Sequence, residues 1–243
     1  MAEYDEIAEG YTESEESRLE RIYIINPSFI KKVGKVKGRT MLDLACGDGN
    51  FSRKFKKEGA KEVVGVDISK EMIKLAKEKT LQESLDVKYL VGDVIKLGKI
   101  KEFDMVIAAF LLHYAKTKEE LIQMCKNIYI NLKKGGRFIT LNQSPTNPLQ
   151  DFKEFGAKVE GPKFLKEGDE LTVKLYDNLK EICSFKTYHW SKSTYESCLK
   201  EAGFKNIKWM SLNILKEGIK KYPKYNWKKY VQNPYILILE ARK

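Results

Sequence analysis

Met41-Leu42-Asp43-Leu44-Ala45-Cys46-Gly47-Asp48-Gly49, followed after a helix-like run by Val63-Val64-Gly65-Val66-Asp67, is the stretch that decides the fold. The apolar run 41–45 is short and stops at turn residues, as a buried parallel strand does. Gly47 and Gly49 let the backbone turn tightly and approach a bound molecule with no side chain in the way. Asp67 closes a second apolar run about 20 residues beyond the glycines, where a carboxylate can accept hydrogen bonds from both hydroxyls of a ribose. Together these features describe a Rossmann-type nucleoside site. Two departures narrow it. The third glycine of the dinucleotide fingerprint is missing, because Gly47-Asp48-Gly49 runs on into Asn50-Phe51-Ser52, and an acid, Asp43, stands in the strand before the loop. That acid would repel a pyrophosphate, which seeks an open helix N-terminus. It would attract a ligand that carries an ammonium and no phosphate, and S-adenosylmethionine (SAM) is such a ligand.

Outward from this stretch, strand and helix patterns alternate between residues 35 and 143, which predicts a parallel sheet covered on both faces. Strands are expected at 40–45, 62–67, 87–91, 103–109 and 137–142. Helices are expected at 49–57, at 69–79 with Ser69 as N-cap, and at 118–132, where Lys133-Lys134-Gly135-Gly136 suits a helix C-terminus. Beyond Asn142 the pattern changes. Residues 144–168 hold Pro145, Pro148 and Pro162 and read as a long connection that walls a site. Runs at 171–176 and 181–190, around Asp177-Asn178, read as an inserted hairpin. A helix at 193–202 and strands at 205–212 and 235–241 close the chain. Residues 4–25 are expected to be helical and outside the sheet, with Pro27 opening the next helix. The expected fold is α/β and Rossmann-like, a seven-stranded, mostly parallel sheet with helices on both faces, plus an inserted β-hairpin and an N-terminal helical cap. One domain is expected over 1–243, divided into the cap (1–32), a SAM-binding core (33–143), an inserted loop and hairpin forming a substrate wall (144–192), and a closing helix and strands (193–243).

The 243 residues suffice to bury the core of one such domain. The first thirty carry eight acids against Arg18 and Arg21, unlike a basic and apolar leader, and no apolar run approaches the roughly 20 residues that span a bilayer. A cytoplasmic protein with no membrane partner is expected. Cys46, Cys125, Cys183 and Cys198 show no CxxC spacing and read as reduced core thiols, with no metal site. The net charge of +11 raises nucleic acid as a partner, most sharply at 216–230, where Lys220, Lys221, Lys224, Lys228 and Lys229 interleave with Tyr222, Tyr225, Trp227 and Tyr230. A solvated lysine face with its aromatics turned to the core is the favoured reading of that segment.

Gly92-Asp93-Val94 follows the third strand and puts a carboxylate where an adenine amino group would lie, since sites in open α/β sheets form at the strand C-terminal ends. The ordered set Asp43-x-Ala45-x-Gly47-x-Gly49, Val66-Asp67-x-Ser69-x-x-Met72, Gly92-Asp93, Phe103-Asp104 and Leu132-x-x-Gly135-Gly136 resembles the class I SAM-dependent methyltransferases and covers about half of the chain. Tyr4-Asp5-x-Ile7-Ala8-x-x-Tyr11, Arg21-x-Tyr23, Leu111-Leu112-x-Tyr114-Ala115 and the tail 227–240 are similar to toxoflavin synthase-like enzymes, which methylate ring nitrogens of a small azapteridine. His113 and the basic segment before Trp227 depart from that pattern. The resemblance implies that Asp43 and the backbone of Ala45 and Gly47 hold the methionine portion, Asp67 the ribose, Ile68 and Met72 the adenine face, and Asp93 with Val94 its edge. Gly49, Gly92 and Ala109 belong to the same cofactor set. Tyr11 and Arg21 would close over the cofactor, the guanidinium pairing with the methionine carboxylate. Asp93 also reads as a turn aspartate, and Arg21 as a surface ion pair with Glu20.

Transfer from a sulfonium requires an acceptor lone pair held in line, and a proton acceptor only where the attacked atom is protonated. His113, on the rim past the fourth strand, is the candidate for that task beside Tyr11, and Tyr114, Tyr188, His189 and Trp190 are candidates to wall a flat substrate. The loop Ala109-Phe110-Leu111-Leu112 lacks the Asn/Asp-Pro-Pro-Tyr/Phe run that grips an exocyclic base amine, and no Pro-Cys pair is present, which disfavours DNA base methylation. The expected activity is methyl transfer from SAM, with S-adenosylhomocysteine (SAH) as product, to a nitrogen or oxygen of a heterocyclic or aromatic metabolite, by a monomer or homodimer. The alternatives are an RNA methyltransferase docking through 216–230 and a non-catalytic SAM-binding regulator.

Overall fold

The computed structural model describes Thr12, residues 18–177 and residues 179–243. Tyr11 and most of the helix expected at 4–25 lie outside the described residues. From Arg21 a π-helical turn, Arg21–Ile25, leads into α1 (Asn26–Val33), with Pro27 in its first turn. The alternating half follows as β1 (Thr40–Leu44), α2 (Asn50–Lys57), β2 (Glu62–Asp67), α3 (Lys70–Gln82), β3 (Lys88–Val91), β4 (Phe103–Ala109), α4 (Lys118–Ile130) and β5 (Leu132–Gln143). Next come four shorter strands, β6 (Asp151–Phe152), β7 (Ala157–Glu160), β8 (Glu170–Asp177) and β9 (Lys180–Tyr188). The chain closes with α5 (Lys192–Glu201), β10 (Lys205–Met210), α6 (Lys216–Lys221), α7 (Trp227–Gln232) and β11 (Ile236–Arg242).

Among the described residues the main sheet has seven strands in the order β10-β11-β5-β4-β1-β2-β3. β1 pairs in parallel with β2 (Met41 beside Val63) and with β4 (Met41 beside Met105), and β11 runs antiparallel to β5 and β10. Each central strand is buried on both faces, so its side chains split by the period of two. Met41, Met105, Ile107 and Ile139 join Phe29 of α1 and Phe51 and Phe55 of α2 in one core. Leu42, Leu44, Val106 and Ala108 meet Leu121, Cys125 and Ile128 of α4 and Leu199 of α5 in the other. Among the described residues no helix is long and apolar enough to cross a membrane.

Three expectations need correction. α4 stops at Asn131, whose buried Nδ2 donates to the carbonyls of Asn127 and Gly98 while its Oδ1 accepts from Ile100 N. Lys133 to Gly136 are therefore not the helix cap. They form an irregular start to β5, where Gly135 N donates to Lys243 O and Lys133 pairs with Asp104 at 2.8 Å. The inserted hairpin β8–β9 is present, but the proline-containing connection before it is not all loop: β6 and β7 emerge from it and pair alongside, so that among the described residues the second sheet is four-stranded and antiparallel. The last closing strand pair is shorter on one side, β10 ending at Met210. The small sheet contributes Val159, Leu171, Val173, Leu175 and Phe185 to the same core as Ile24, Ile25 and Tyr235, and β9 packs on the short 3-10 turn Leu112–Tyr114 that follows β4.

The aromatics of 216–230 divide. Trp227 and Tyr230 are buried among Tyr23, Phe152 and Phe155, Tyr222 and Tyr225 are half-buried, and Lys220, Lys221, Lys224, Lys228 and Lys229 are exposed.

Candidate active site

β1 and β4 are neighbours, and the chain leaves them toward opposite sides of the sheet, so the crevice beyond their C-terminal ends is the switch point where open α/β sheets take ligands. The loop after β1 is built of left-handed turns, with φ of 54° at Ala45, 53° at Gly47 and 80° at Gly49. Gly49 is sterically required, since a Cβ there would lie 2.3 Å from Tyr89 Oη. A Cβ on Gly47 would meet nothing within 4 Å, and Gly47 faces the crevice.

Asp67, at the end of β2, fastens this loop to the next helix. Its Oδ2 accepts from Gly47 N at 2.8 Å and its Oδ1 from Ser69 N at 2.9 Å. Ser69 caps α3 by accepting from Met72 N at 3.1 Å. Asp48 lines the crevice and is paired with Lys79 of α3 at 2.7 Å. Cys46 packs under the loop against Ile73, Ala76 and Tyr89.

The acid in β1 is the electrostatic feature of the crevice. Asp43 is 1% exposed; its Oδ2 accepts from Ser52 Oγ at 2.6 Å, and its Oδ1 is buried with no hydrogen-bond partner. Burial pushes its carboxyl up to about 7, against the pull of the Ser52 hydroxyl and with added repulsion from Asp67 and Asp48. Arg21, Asp43, Ala45, Gly47, Ala109 and Phe110 line this cleft together. Of the other sequence-predicted residues, Ile68 is exposed (53%), whereas Met72 is buried (2%). Gly92 N donates to Asp67 O, Asp93 Oδ1 accepts from Ile95 N at 2.9 Å as a turn aspartate does, and Val94 is a core residue whose carbonyl accepts from Asn127 Nδ2 at 2.8 Å.

A second cavity adjoins the first, with Arg21 and Phe110 in the walls of both and the guanidinium carbon 4.6 Å from the Phe110 ring centre. His113 and Tyr114 of the turn after β4, Gln143 of β5, Val173 and Leu175 of β8, and Phe185 and Thr187 of β9 line it. His113 is buried, 3.3 Å from Asn142 Oδ1 and 3.4 Å from Gln143 N through its Nδ1. Burial pushes its imidazole down to about 4, against the Asn142 contact, so the ring is neutral at pH 7. At the base, Glu20 is enclosed by Arg18 (3.5 Å) and by the hydroxyls of Tyr230 (3.0 Å) and Tyr235 (2.6 Å).

The expected wall of Tyr188, His189 and Trp190 is replaced by Phe185 and Thr187. In β9 alternate residues share a face, so the burial of Phe185 and Thr187 turns Tyr188 to the other side. Trp190 lies in the core beyond the strand, donating from Nε1 to Ala115 O at 2.9 Å, and His189 is half-buried with its backbone paired to Gly168 and Asp169. The alternation Cys183, Phe185, Thr187 carried this signal in the sequence. Gln143 had none, being the last residue of a strand defined by its neighbours. Among the described residues no group of His, Cys, Asp or Glu is arranged to hold a metal ion.

Comparison with known proteins agrees on one family. Residues 41–136 match the family profile described as "Methyltransferase domain". YqeM, a methyltransferase-family protein of Bacillus subtilis, is 30% identical over 187 residues, covering 69% of this chain and 74% of that protein. The ubiquinone biosynthesis O-methyltransferase of Coxiella burnetii is 29% identical over 150 residues, 59% of this chain, and the match spans only 62% of that relative's length. In fold, an S-adenosylmethionine dependent methyltransferase from Mesorhizobium loti superposes with a TM-score of 0.67 at 20% identity, over 94% of this chain and all of the other.

Proposed function

The chain belongs to the class I SAM-dependent methyltransferases, and on that premise we propose that it transfers a methyl group from SAM to a small molecule held in the cavity beside the cleft. The observation that carries this reading is the shared wall: Arg21 and Phe110 line both the switch-point cleft and the cavity beside it. The cleft fits SAM. Asp43 Oδ1, buried and without a donor, suits the ammonium of the methionine portion, and the open face of Gly47 admits the ligand against the backbone. Arg21 suits the carboxylate, Asp67 at the end of β2 suits the ribose, and Ile68 offers an exposed apolar face to the adenine. Tyr11, Ala45, Gly49, Asp93 and Ala109 complete the proposed set.

When bound, SAM supplies a methyl group already activated by its sulfonium. The task of the chain is then to hold the acceptor's lone pair toward that methyl at roughly 3 to 3.5 Å and to exclude water. Val173, Leu175, Phe185 and Tyr114 do the second. His113, neutral and with a conjugate acid near pH 4, is a weak base. Its proposed role is to orient the acceptor by hydrogen bonding, with Tyr114 beside it, 4.9 Å between ring centres.

The acceptor class drawn from this site and from the toxoflavin synthase-like resemblance is a heterocyclic or aromatic metabolite methylated on nitrogen or oxygen, in the cytoplasm, by one domain over 1–243. A relative named for ubiquinone biosynthesis supports a small-molecule substrate. The test incubates the protein with methyl-labelled SAM and cell extract divided into RNA, protein and low-mass fractions. Label in the low-mass fraction is expected. Label in RNA alone would overturn the reading in favour of docking through the exposed lysines of 216–230.

A further inference from the structure

Residues 205–235 carry eight lysines against one acid, Glu217. In the structure α6 and the start of α7 pack around one side chain, Tyr23, whose ring lies 5.8 Å from that of Tyr222 and 6.2 Å from that of Trp227. Gly218 sets the closeness of α6, since a Cβ there would come 2.7 Å from the Tyr23 ring, and Leu215 N donates to Tyr23 O at 2.9 Å. With its Gly218 side pressed inward, α6 turns Lys216 and Lys220 away from the body of the protein, at about 100° per residue, and leaves Ile219 on its flank. Three aliphatic side chains stand exposed here, Leu215 (41%), Ile219 (46%) and Ile22 (39%), the last beside Tyr23 in the chain. Lys216, Lys220, Lys224 and Lys228 are exposed with them. Among the described residues no acid pairs with these four, whereas Lys54, Lys126 and Lys186 elsewhere on the surface are paired with Glu58, Glu201 and Glu170.

Lysines among aromatics suit a nucleic acid when the ring faces are free to stack on bases. These rings are engaged with one another. Trp227 and Tyr230 are buried, Tyr222 meets Tyr225 edge-on at 5.9 Å, and Tyr225 lies 5.5 Å from the ring of Phe155. What stands free beside the lysines is aliphatic, and aliphatic surface gains little against a phosphate backbone. At an anionic bilayer both kinds of group find a place: the aliphatic side chains enter the boundary between headgroups and acyl chains, while the ammonium groups stay at the level of the phosphates. We propose that the face formed by α6 and the start of α7, with Ile22 beside it, docks reversibly on an anionic lipid surface. Leu215 and Ile219 enter the headgroup layer, and Lys216, Lys220, Lys224 and Lys228 pair with lipid phosphates. The contact is one of lying on the bilayer, since among the described residues no helix is long and apolar enough to cross it. It departs from the expectation of no membrane partner, which concerned spanning segments. It is also independent of the methyl-transfer reading.

The experiment measures co-sedimentation of the protein with vesicles of phosphatidylcholine alone and of phosphatidylcholine mixed with phosphatidylglycerol, at low and at high salt. It compares the wild type with a charge variant (Lys216→Gln, Lys220→Gln, Lys224→Gln and Lys228→Gln together) and an aliphatic variant (Leu215→Gln with Ile219→Gln), with thermal unfolding recorded for each. The wild type should bind the mixed vesicles, leave the neutral ones in suspension without it, and be released by high salt. The charge variant should bind about a hundredfold or more weakly. The aliphatic variant, with every lysine in place, should bind about tenfold more weakly. Wild-type protein that stays in the supernatant with the mixed vesicles overturns the proposal. So does an aliphatic variant that binds them as well as the wild type, because the lysines alone would then account for the attraction. An affinity for a single-stranded RNA oligomer that exceeds the affinity for the vesicles overturns it too, and makes nucleic acid the partner. If the double aliphatic variant fails to fold, Ile219→Gln alone, at the more exposed of the two positions, carries the comparison.

Discussion

Replacing Asp43 by Asn should stabilise the ligand-free protein at pH 8 while crippling its capture of SAM. The carboxyl is buried, bonded on one oxygen only, and sits among the charges of Asp67 and Asp48, which raises it from 3.8 to about 7. Between those values the folded chain holds a proton that the unfolded chain has released, so this group's contribution to stability falls as pH rises from about 4 to about 7 and is constant above. Over the full window that is about 4 kcal/mol, and about 3 kcal/mol of it falls between pH 5 and pH 8. Asn does not titrate and still accepts from Ser52 Oγ. The stability of the variant minus that of the wild type, from urea unfolding of the apo protein, should therefore shift by about 3 kcal/mol in favour of the variant between pH 5 and pH 8. Ligand binding should run the other way. The ammonium needs the ionised form, so wild-type affinity for SAH should drop by about tenfold per pH unit below 7 and level off above it, whereas the variant should bind weakly and flatly across that range. A stability difference that is the same at pH 5 and pH 8 would refute the argument, because it would mean that Asp43 is not held protonated by its burial.

Four further outcomes follow from the same geometry. Asp67→Ala should weaken SAH binding by about a hundredfold or more and lower the unfolding temperature, since the Gly47 N and Ser69 N bonds are lost as well; unchanged affinity in calorimetry would remove Asp67 from the ribose. Gly49→Ala should cost about 3 kcal/mol or more, from the φ of 80° and the collision with Tyr89 Oη, read by urea unfolding. Trp190→Phe should cost about 1 kcal/mol for the bond to Ala115 O and leave SAH affinity unchanged, because the indole is in the core and not in the site. His113→Asn should remove an acid-induced loss of about 3 kcal/mol: the imidazole of the folded protein takes its proton near pH 4 and that of the unfolded chain near 6.5, so wild-type stability falls as pH drops through that interval and the variant's does not.

The parallel core was legible because its information is local. Val63 to Val66, Met105 to Ala108 and the helices between them carry unbroken apolar runs, glycine turns and a capping serine, each readable within a dozen residues. The end of α4 was misread for a related reason. Lys133 to Gly136 resemble a helix cap taken alone, but their partners are Lys243 and Asp104, distant along the chain. The same limit applied to the cavity beside the cleft. Aromatic residues mark a wall in sequence, yet whether Phe185 or Trp190 faces the cavity depends on the register of β9 against β8 and on the two extra strands that brace them.

What the sequence determined by itself is the sheet and the switch-point loop from Met41 to Asp67, with an acid, Asp43, in the strand before it, since short apolar runs and backbone turns suffice to specify them. Only the tertiary structure decided that Asp43 keeps an unpaired oxygen, that Asp67 also ties the loop to α3, and that Gln143, Thr187, Phe185 and His113 converge on one cavity beside Arg21. Those are consequences of burial and of pairing between distant strands, and both arise only when the chain has closed on itself.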